Sequence, residues 1–182
     1  MDSEVIKPAL SPRVLAARMV VYATAFLAFI LVLVPAGFHW LGNALGLQPW
    51  GMKIFGPLGA ARPFIGIAIF VVGVTSYFIC SLWLVIVGKG PFVEFDPPRE
   101  FVATGPYRWT RNPVAASLIV CGLAEAIYFA SAGILLFVLI GLPLAHLQVT
   151  RIEEPLLRKR FGDSYEAYCR RTNRWLPRKP AA

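Results

Sequence analysis

Long stretches without a charged residue constrain the fold of this chain more than any other feature. Residues 19–38 and 64–88 carry no charge, and each supplies the roughly 20 apolar residues that a membrane-crossing helix needs. A third stretch, residues 113–149, has Glu125 as its only formal charge. As one helix it would measure about 56 Å, far more than a ~30 Å bilayer core. It must therefore fold back, and the small residues at 130–133 predict the turn.

The sequence predicts an all-α integral membrane protein with a single domain, residues 1–182. Four spans are expected at about 19–38, 64–88, 113–130 and 132–149, with a polar loop at 89–112 and C-terminal helices over 150–175. The chain is 57% hydrophobic and only 15% charged, with a mean hydropathy of +0.62. This composition excludes an ordinary soluble domain.

Basic residues predict the orientation of the spans. Nine Lys and Arg residues lie in 150–182, and others precede the first span or lie in the 89–112 loop, whereas the 39–63 connection has only Lys53 and Arg62. Because basic loops stay cytoplasmic, both termini and the 89–112 loop are expected in the cytoplasm. The basic tail lacks interleaved base-stacking aromatics, so no nucleic-acid partner is expected. The three cysteines and two histidines show no metal-ligand spacing, so no metal is expected either.

The 89–112 loop is rich in Pro and Gly and cannot be a continuous helix. Asn112 followed by Pro113 is typical of a helix start, with Asn112 as the N-cap. The same helix end could instead present its unpaired N–H groups to a ligand. The spacing alone leaves both interpretations open.

A second polar group follows the fourth span. His146 and Glu153 are seven residues apart, which is about two helical turns, so they are expected on one face of a helix. Glu154 is the next residue around that helix. These acids could be solvated charges at a helix exit. However, Pro155 predicts a bend in the helix beside these acids. Gly162 predicts an interruption further on, and Asp163 with Glu166 would cap a last short helix that begins after it. That helix would fold back over the acids and form a pocket.

Glu125 is the one acid at membrane depth, where ionisable residues are commonly functional. It lies near the expected turn at 130–133, so exposure at the outer interface is the preferred interpretation.

These elements, in this order, resemble the integral-membrane methyltransferases of the isoprenylcysteine carboxyl methyltransferase and phospholipid methyltransferase superfamily. The similarity covers roughly residues 64–177. It depends on the motif Gly-Pro-Tyr-Arg-(x)₃-Asn-Pro at 105–113, His146 with the pair Glu153-Glu154, and Phe-Gly-(x)₂-Tyr-(x)₂-Tyr at 161–168.

The resemblance implies a cytosol-facing site for S-adenosyl-L-methionine, with S-adenosyl-L-homocysteine as product. The cofactor-binding residues that it implies are Arg99, Glu100, Phe101, Val102, Gly105, Tyr107, Asn112, Pro113, Val114, Ala115, His146, Glu153 and Glu154. It implies a catalytic set of His146, Arg111 and Asn112, with His146 as the base if the acceptor is an amine or thiol. A carboxylate favours the cofactor's ammonium and an aromatic ring its sulfonium, which suits Glu153 and Tyr107.

The implied acceptor is a lipophilic molecule that enters from the bilayer, and a carboxyl methyltransferase-like activity is the first candidate. Isoprenylcysteine enzymes place a substrate-contacting Arg where this chain has Val149, and Arg151 is the nearest replacement. The family motif also usually has an aromatic residue where Ala115 stands. Methylation of a phospholipid amine or a thiol, a sterol-reductase-like enzyme using NADPH, and a non-catalytic membrane protein therefore stay open as alternatives.

Overall fold

The structure, a computed structural model, describes residues 11–89 and 100–179 as an all-helical chain. The helices are α1 (Pro12–Ala28), α2 (Val34–Ala44), α3 (Gln48–Phe55), α4 (Arg62–Gly88), α5 (Pro113–Phe129), α6 (Ala132–Gln148) and α7 (Glu154–Arg171). Five-residue π-helical segments join α1 to α2 at Phe29–Leu33 and α6 to α7 at Val149–Glu153. Short 3₁₀ turns precede α4 at Gly56–Ala61 and lie within the polar loop at Gly105–Arg108.

Within residues 11–89 and 100–179, three helical runs are long and apolar enough to cross a membrane: Val20–Ala44, Gln48–Gly88 and Ala132–Arg171. The shorter apolar helix Pro113–Phe129 accompanies them. Only 6–22% of the most apolar window in each long run is buried inside the protein. Apolar surface left outward on this scale requires an apolar solvent. The chain is therefore an integral membrane protein, and the predicted all-α membrane fold is confirmed.

Close helix contacts position the bundle. α4 packs along α5, where a Cβ atom added to Gly73 would lie 2.6 Å from Cys121 Sγ. α2 packs on α6, where a Cβ at Gly133 would lie within 3 Å of the Phe38 carbonyl group. Small residues at these crossings let backbones approach, which is how membrane helices gain packing contacts.

The turn between α5 and α6 lies where the small residues predict it. Ala130 adopts the left-handed conformation, with φ 46°, and ends α5. Ser131 then caps α6, because its hydroxyl accepts a hydrogen bond from the Ile134 N–H at 3.2 Å. The fold-back of the third apolar stretch is confirmed.

The C-terminal region folds back on the polar loop. Gly162, with φ 50° and ψ −126°, breaks α7 into two halves, as the sequence predicts. Glu166 does not cap the second half: its carboxylate accepts from Arg158 Nε at 2.7 Å. Beyond α7, the chain returns to the polar loop, where Arg178 N–H donates to the Trp109 carbonyl at 2.8 Å.

Candidate active site

Polar side chains from the loop, α6, α7 and the C-terminal segment 172–178 meet at one end of the bundle. Backbone hydrogen bonds hold the loop to this segment: Arg111 N–H donates to Asn173 O at 2.9 Å. The Thr110 hydroxyl lies 3.0 Å from Arg174 O and 3.1 Å from Trp175 O. Residues about 60 positions apart are thereby fixed against each other. We call this region the polar cluster: Tyr107, Arg111, Asn112, His146, Glu153, Glu154, Tyr168, Arg174 and Trp175.

The 105–108 turn sets the position of the loop on α4. Gly105 has φ +57°, and a Cβ atom there would lie 2.3 Å from the Trp83 ring. The Trp83 indole N–H donates to Thr104 Oγ1 at 3.2 Å. Glycine is therefore required both by the backbone conformation and by the ring against it.

Tyr107 is the buried aromatic residue of the cluster. Its hydroxyl points at the Cys80 carbonyl, 3.5 Å away, and its own carbonyl accepts from the Tyr168 hydroxyl at 2.7 Å. Burial raises the pKa of the Tyr107 phenol, and its neighbours Cys80, Glu153 and Tyr168 raise it further. The ring is consequently neutral, and Glu153 lies close enough to influence it.

Glu154 is the most deeply buried acid of the cluster, with 2% of its surface exposed. Arg174 donates to both carboxylate oxygens, from Nε to Oε1 at 2.6 Å and from Nη2 to Oε2 at 3.0 Å. Arg111 and Arg158 lie 3.3 and 3.4 Å from it. Burial alone would raise the pKa of Glu154, but the Arg174 hydrogen bond and the three positive charges outweigh it and lower the pKa.

Arg111 is held by this ion pair and has a buried donor, Nε–H, that the pair does not use. Its Nη1 contacts both Glu154 and Cys169 Sγ. Its Nε–H is buried and has no hydrogen-bond partner among the described residues. A buried guanidinium donor without an acceptor costs free energy, so an acceptor brought by a ligand would be favoured at this position.

The π-helical segment Val149–Glu153 changes which glutamate points inward. A π segment inserts one residue into a helix, so the residue two turns after His146 becomes Glu154 instead of Glu153. Glu154 is accordingly buried, while Glu153 is half-buried. By this helix geometry, Glu154 takes the place on the face of His146 that the sequence predicts for Glu153. Pro155, which cannot donate to Arg151, lies just after the segment.

His146 is exposed and is oriented by Trp175. The indole N–H of Trp175 lies 3.1 Å from His146 Nδ1. Because an indole nitrogen only donates, Nδ1 must be the acceptor, and a neutral His146 then has its proton on Nε2. In this arrangement Nε2 donates and cannot serve as a base.

Asn112 precedes α5, but its side chain does not cap the helix. Its amide donates instead to the Arg174 carbonyl at 3.0 Å. Asn112 thus occupies the predicted N-cap position, with Pro113 as the first helical residue, while its side chain connects α5 to the C-terminal segment. Pro113 is buried behind it, and Val114 and Ala115 are half-buried in the same first turn.

Of the other predicted residues, the structure separates Glu100 and Arg151 from the cluster and places Phe101 at its edge. Glu100 is exposed and pairs with Lys89 at 2.7 Å. Arg151 is exposed within the π segment. Phe101 packs on Phe161 at a centroid distance of 5.2 Å and near Tyr168 at 5.4 Å, and Val102 is buried beside it. Arg99 lies outside the described residues.

Sequence reasoning missed Arg174 and Trp175, which close the cluster. Both follow the last helix, in a stretch with no motif. The only signal was the buried acid itself, since a buried carboxylate requires cationic partners. Among the described residues, no three His, Cys, Asp or Glu side chains come together in a way that could hold a metal ion.

Comparison with protein families gives one match. A family model described as phospholipid methyltransferase matches residues 61–164, which is 104 of the 182 residues. The matched region includes Tyr107, Arg111, His146, Glu153 and Glu154. A comparison with curated proteins and one with solved structures found no match.

Proposed function

The chain belongs to the phospholipid methyltransferase family, and on that premise we propose that it transfers a methyl group from S-adenosyl-L-methionine to a lipophilic acceptor in the bilayer. The match across residues 61–164 is the observation that carries the proposal, because it covers most of the polar cluster. The alternative of a nicotinamide-dependent reductase has no comparable support.

The polar cluster suits the charges of the proposed cofactor. S-adenosyl-L-methionine carries a carboxylate and an ammonium at one end and a sulfonium at its centre. The buried Nε–H of Arg111, which lacks an acceptor among the described residues, would donate to the carboxylate. Glu153, half-buried near Tyr107, would pair with the ammonium, and the neutral ring of Tyr107 would lie against the sulfonium.

Glu154 has a different part in this proposal. Both of its oxygens already accept hydrogen bonds from Arg174, and Arg111 and Arg158 add their charges. It is therefore a positioning residue that fixes Arg111, and Glu153 is the acid that would contact the cofactor.

The bound cofactor supplies an activated methyl group, so the protein needs to align the acceptor and exclude water. Segment 172–178 would cover the cluster through Arg174 and Trp175. Arg151, exposed in the π segment, is the remaining candidate for contact with the acceptor.

Two acceptor classes are favoured by specific observations. A lipophilic carboxylate, as in a carboxyl methyltransferase-like reaction, needs no proton removed, and the Trp175 contact leaves His146 as a donor instead of a base. A phospholipid amine is favoured by the description of the matching family. The carboxylate is our first candidate.

We also propose that the cluster faces the cytoplasm. The excess of Lys and Arg in the C-terminal tail and the polar loop supports this orientation, and it would place the site where S-adenosyl-L-methionine is available.

Methyl transfer by purified protein in nanodiscs tests the function. S-adenosyl-L-methionine labelled with tritium in its methyl group would be offered with a prenylcysteine, with phosphatidylethanolamine or with a long-chain thiol. The lipid-extractable product is then treated with alkali. Tritium released as methanol identifies a methyl ester, and tritium that stays in the product identifies an N-methyl amine or a methyl thioether. With the prenylcysteine we expect an alkali-labile product. The rate at which it forms should fall about 100-fold in Glu153→Gln and stay unchanged in the exposed control Asp163→Asn. Absence of labelled product with all three acceptors would contradict the proposal.

A further inference from the structure

A pocket of about 240 Å³ lies between α4 and α5, away from the polar cluster. Its walls are mostly apolar, and Glu125 is the one carboxylate among its lining residues. Glu125 follows Pro113 by twelve residues along α5, which separates the two sites by about 18 Å at ~1.5 Å per residue. The side chains that line it include Ile67, Phe70, Ala124, Glu125, Tyr128 and Phe129.

Glu125 is buried, so the expectation that it lies exposed at the interface is wrong. Only 8% of its surface is exposed. Its Oε2 atom has no hydrogen-bond partner among the described residues. A carboxylate in such surroundings costs several kcal/mol unless it is paired, and an acid at membrane depth commonly faces a functional cavity.

The cation that contacts this end of α5 binds backbone carbonyls. Arg62, at the start of α4, donates from Nη1 to the Tyr128 carbonyl at 2.9 Å and to the Ile127 carbonyl at 3.4 Å. It thus satisfies the C-terminal carbonyls of α5. No ion pair seen among residues 11–89 and 100–179 includes Glu125.

Aromatic rings complete the recognition chemistry. Tyr128 and Phe129 both line the pocket, and their rings meet edge to face with centroids 4.9 Å apart. A carboxylate beside aromatic faces and aliphatic walls is a suitable environment for an alkylammonium ion. The carboxylate would pair with the charge, and Ile67, Phe70 and Ala124 would contact methylene groups.

We propose that this pocket binds the ammonium head of a long-chain amine, with its alkyl chain leaving into the bilayer. The volume of about 240 Å³ corresponds to roughly eight water-sized groups at ~30 Å³ each. It therefore accommodates the ammonium and the first methylenes, while the rest of the ligand stays in lipid. The site is independent of the methyl-transfer proposal.

Calorimetric titration of dodecylammonium into the protein in phosphatidylcholine nanodiscs, corrected with empty nanodiscs, tests the site. We expect saturable binding of one dodecylammonium per chain, at least tenfold weaker in Glu125→Gln and unchanged in Asp163→Asn. Ile67→Trp fills the pocket while keeping the acid and should also weaken binding at least tenfold. If Glu125→Gln does not fold, this variant tests whether dodecylammonium binds in the pocket. Dodecanol should not compete.

The result that would overturn the site is the absence of saturable binding to wild type, equal binding to Glu125→Gln, or equal competition by dodecanol. Repeating the titration in nanodiscs that contain phosphatidylethanolamine identifies the source of the amine. Competition by that lipid would assign the pocket to a lipid headgroup, and its absence would assign it to free alkylamines.

Discussion

Arg174 binds Glu154 through two hydrogen bonds, from Nε to Oε1 at 2.6 Å and from Nη2 to Oε2 at 3.0 Å. This pair joins the segment after the last helix to the first residue of α7. Since Arg111 shares the same carboxylate, the pair also fixes the polar loop. Three regions distant in sequence therefore depend on one buried acid.

Glu154→Gln should destabilise the protein by about 3 kcal/mol, because removing one partner of a buried ion pair leaves uncompensated charge. Glu166→Gln is the matched control: it removes a partly exposed acid that pairs with Arg158 at 2.7 Å, and such surface pairs contribute about 0–1 kcal/mol. Unfolding titrations in mixed micelles would compare the two. Equal stability losses would contradict the central position of Glu154.

The pH dependence of stability should also trace to Glu154. Its pKa in the folded protein is lowered, so its contribution is fully present above the unfolded value of about 4.3. That contribution is lost as the pH falls below this value and through the lowered folded pKa. Wild type should therefore be more stable than Glu154→Gln at pH 7, and the difference should shrink as the pH drops below about 4.3. A difference that is independent of pH between 7 and 3 would refute this assignment.

Gly105→Ala should displace the loop that carries Tyr107. The substitution adds a Cβ at φ +57° and places it 2.3 Å from the Trp83 ring. Gly59→Ala isolates the conformational part, because Gly59 has φ +53° and open space around it. We expect a cost of about 1–3 kcal/mol for Gly59→Ala from backbone strain alone. Gly105→Ala should cost more, and Trp83→Ala in the same chain should recover part of the excess. No difference between the two glycine variants would show that the ring contact is unimportant.

His146 should be the tautomer protonated at Nε2. The Trp175 indole N–H donates to its Nδ1 at 3.1 Å, which leaves the proton of a neutral ring on Nε2. Nitrogen NMR of protein labelled at histidine would read the tautomer directly, with His39→Gln to assign the other ring. In Trp175→Phe, which lacks the indole N–H, the neutral His146 ring should no longer favour the tautomer protonated at Nε2. A wild-type signal from protonated Nδ1 in the neutral ring would contradict the arrangement.

The apolar pattern was sufficient to predict the helices of the apolar stretches, but not α3 (Gln48–Phe55), which lies in the expected 39–63 connection. Two backbone features could also be predicted from the sequence. The turn at 130–133 follows from helix length against bilayer thickness, and the break at Gly162 from glycine's access to positive φ. Within the site, the nearness of Tyr107, Arg111 and Glu154 agrees with the motifs that suggested them.

Two aspects of the site could not be predicted. Beside the π segment Val149–Glu153, Glu154 is buried and Glu153 is half-buried. The sequence places these two acids side by side at the end of an apolar run and does not show which of them is buried. The pairing of Arg174 with Glu154 depends on how the tail folds back, and the tail holds several other arginines with equal charge. Local sequence does not distinguish among them.

Calorimetric titration of S-adenosyl-L-homocysteine into the detergent-purified protein tests the central claim most directly. Wild type should bind with a micromolar Kd. Glu153→Gln should weaken binding at least 30-fold, and Asp163→Asn, an exposed acid on α7, should bind like wild type. No binding to folded wild type, or the same Kd in wild type and Glu153→Gln, would contradict the proposed cofactor site.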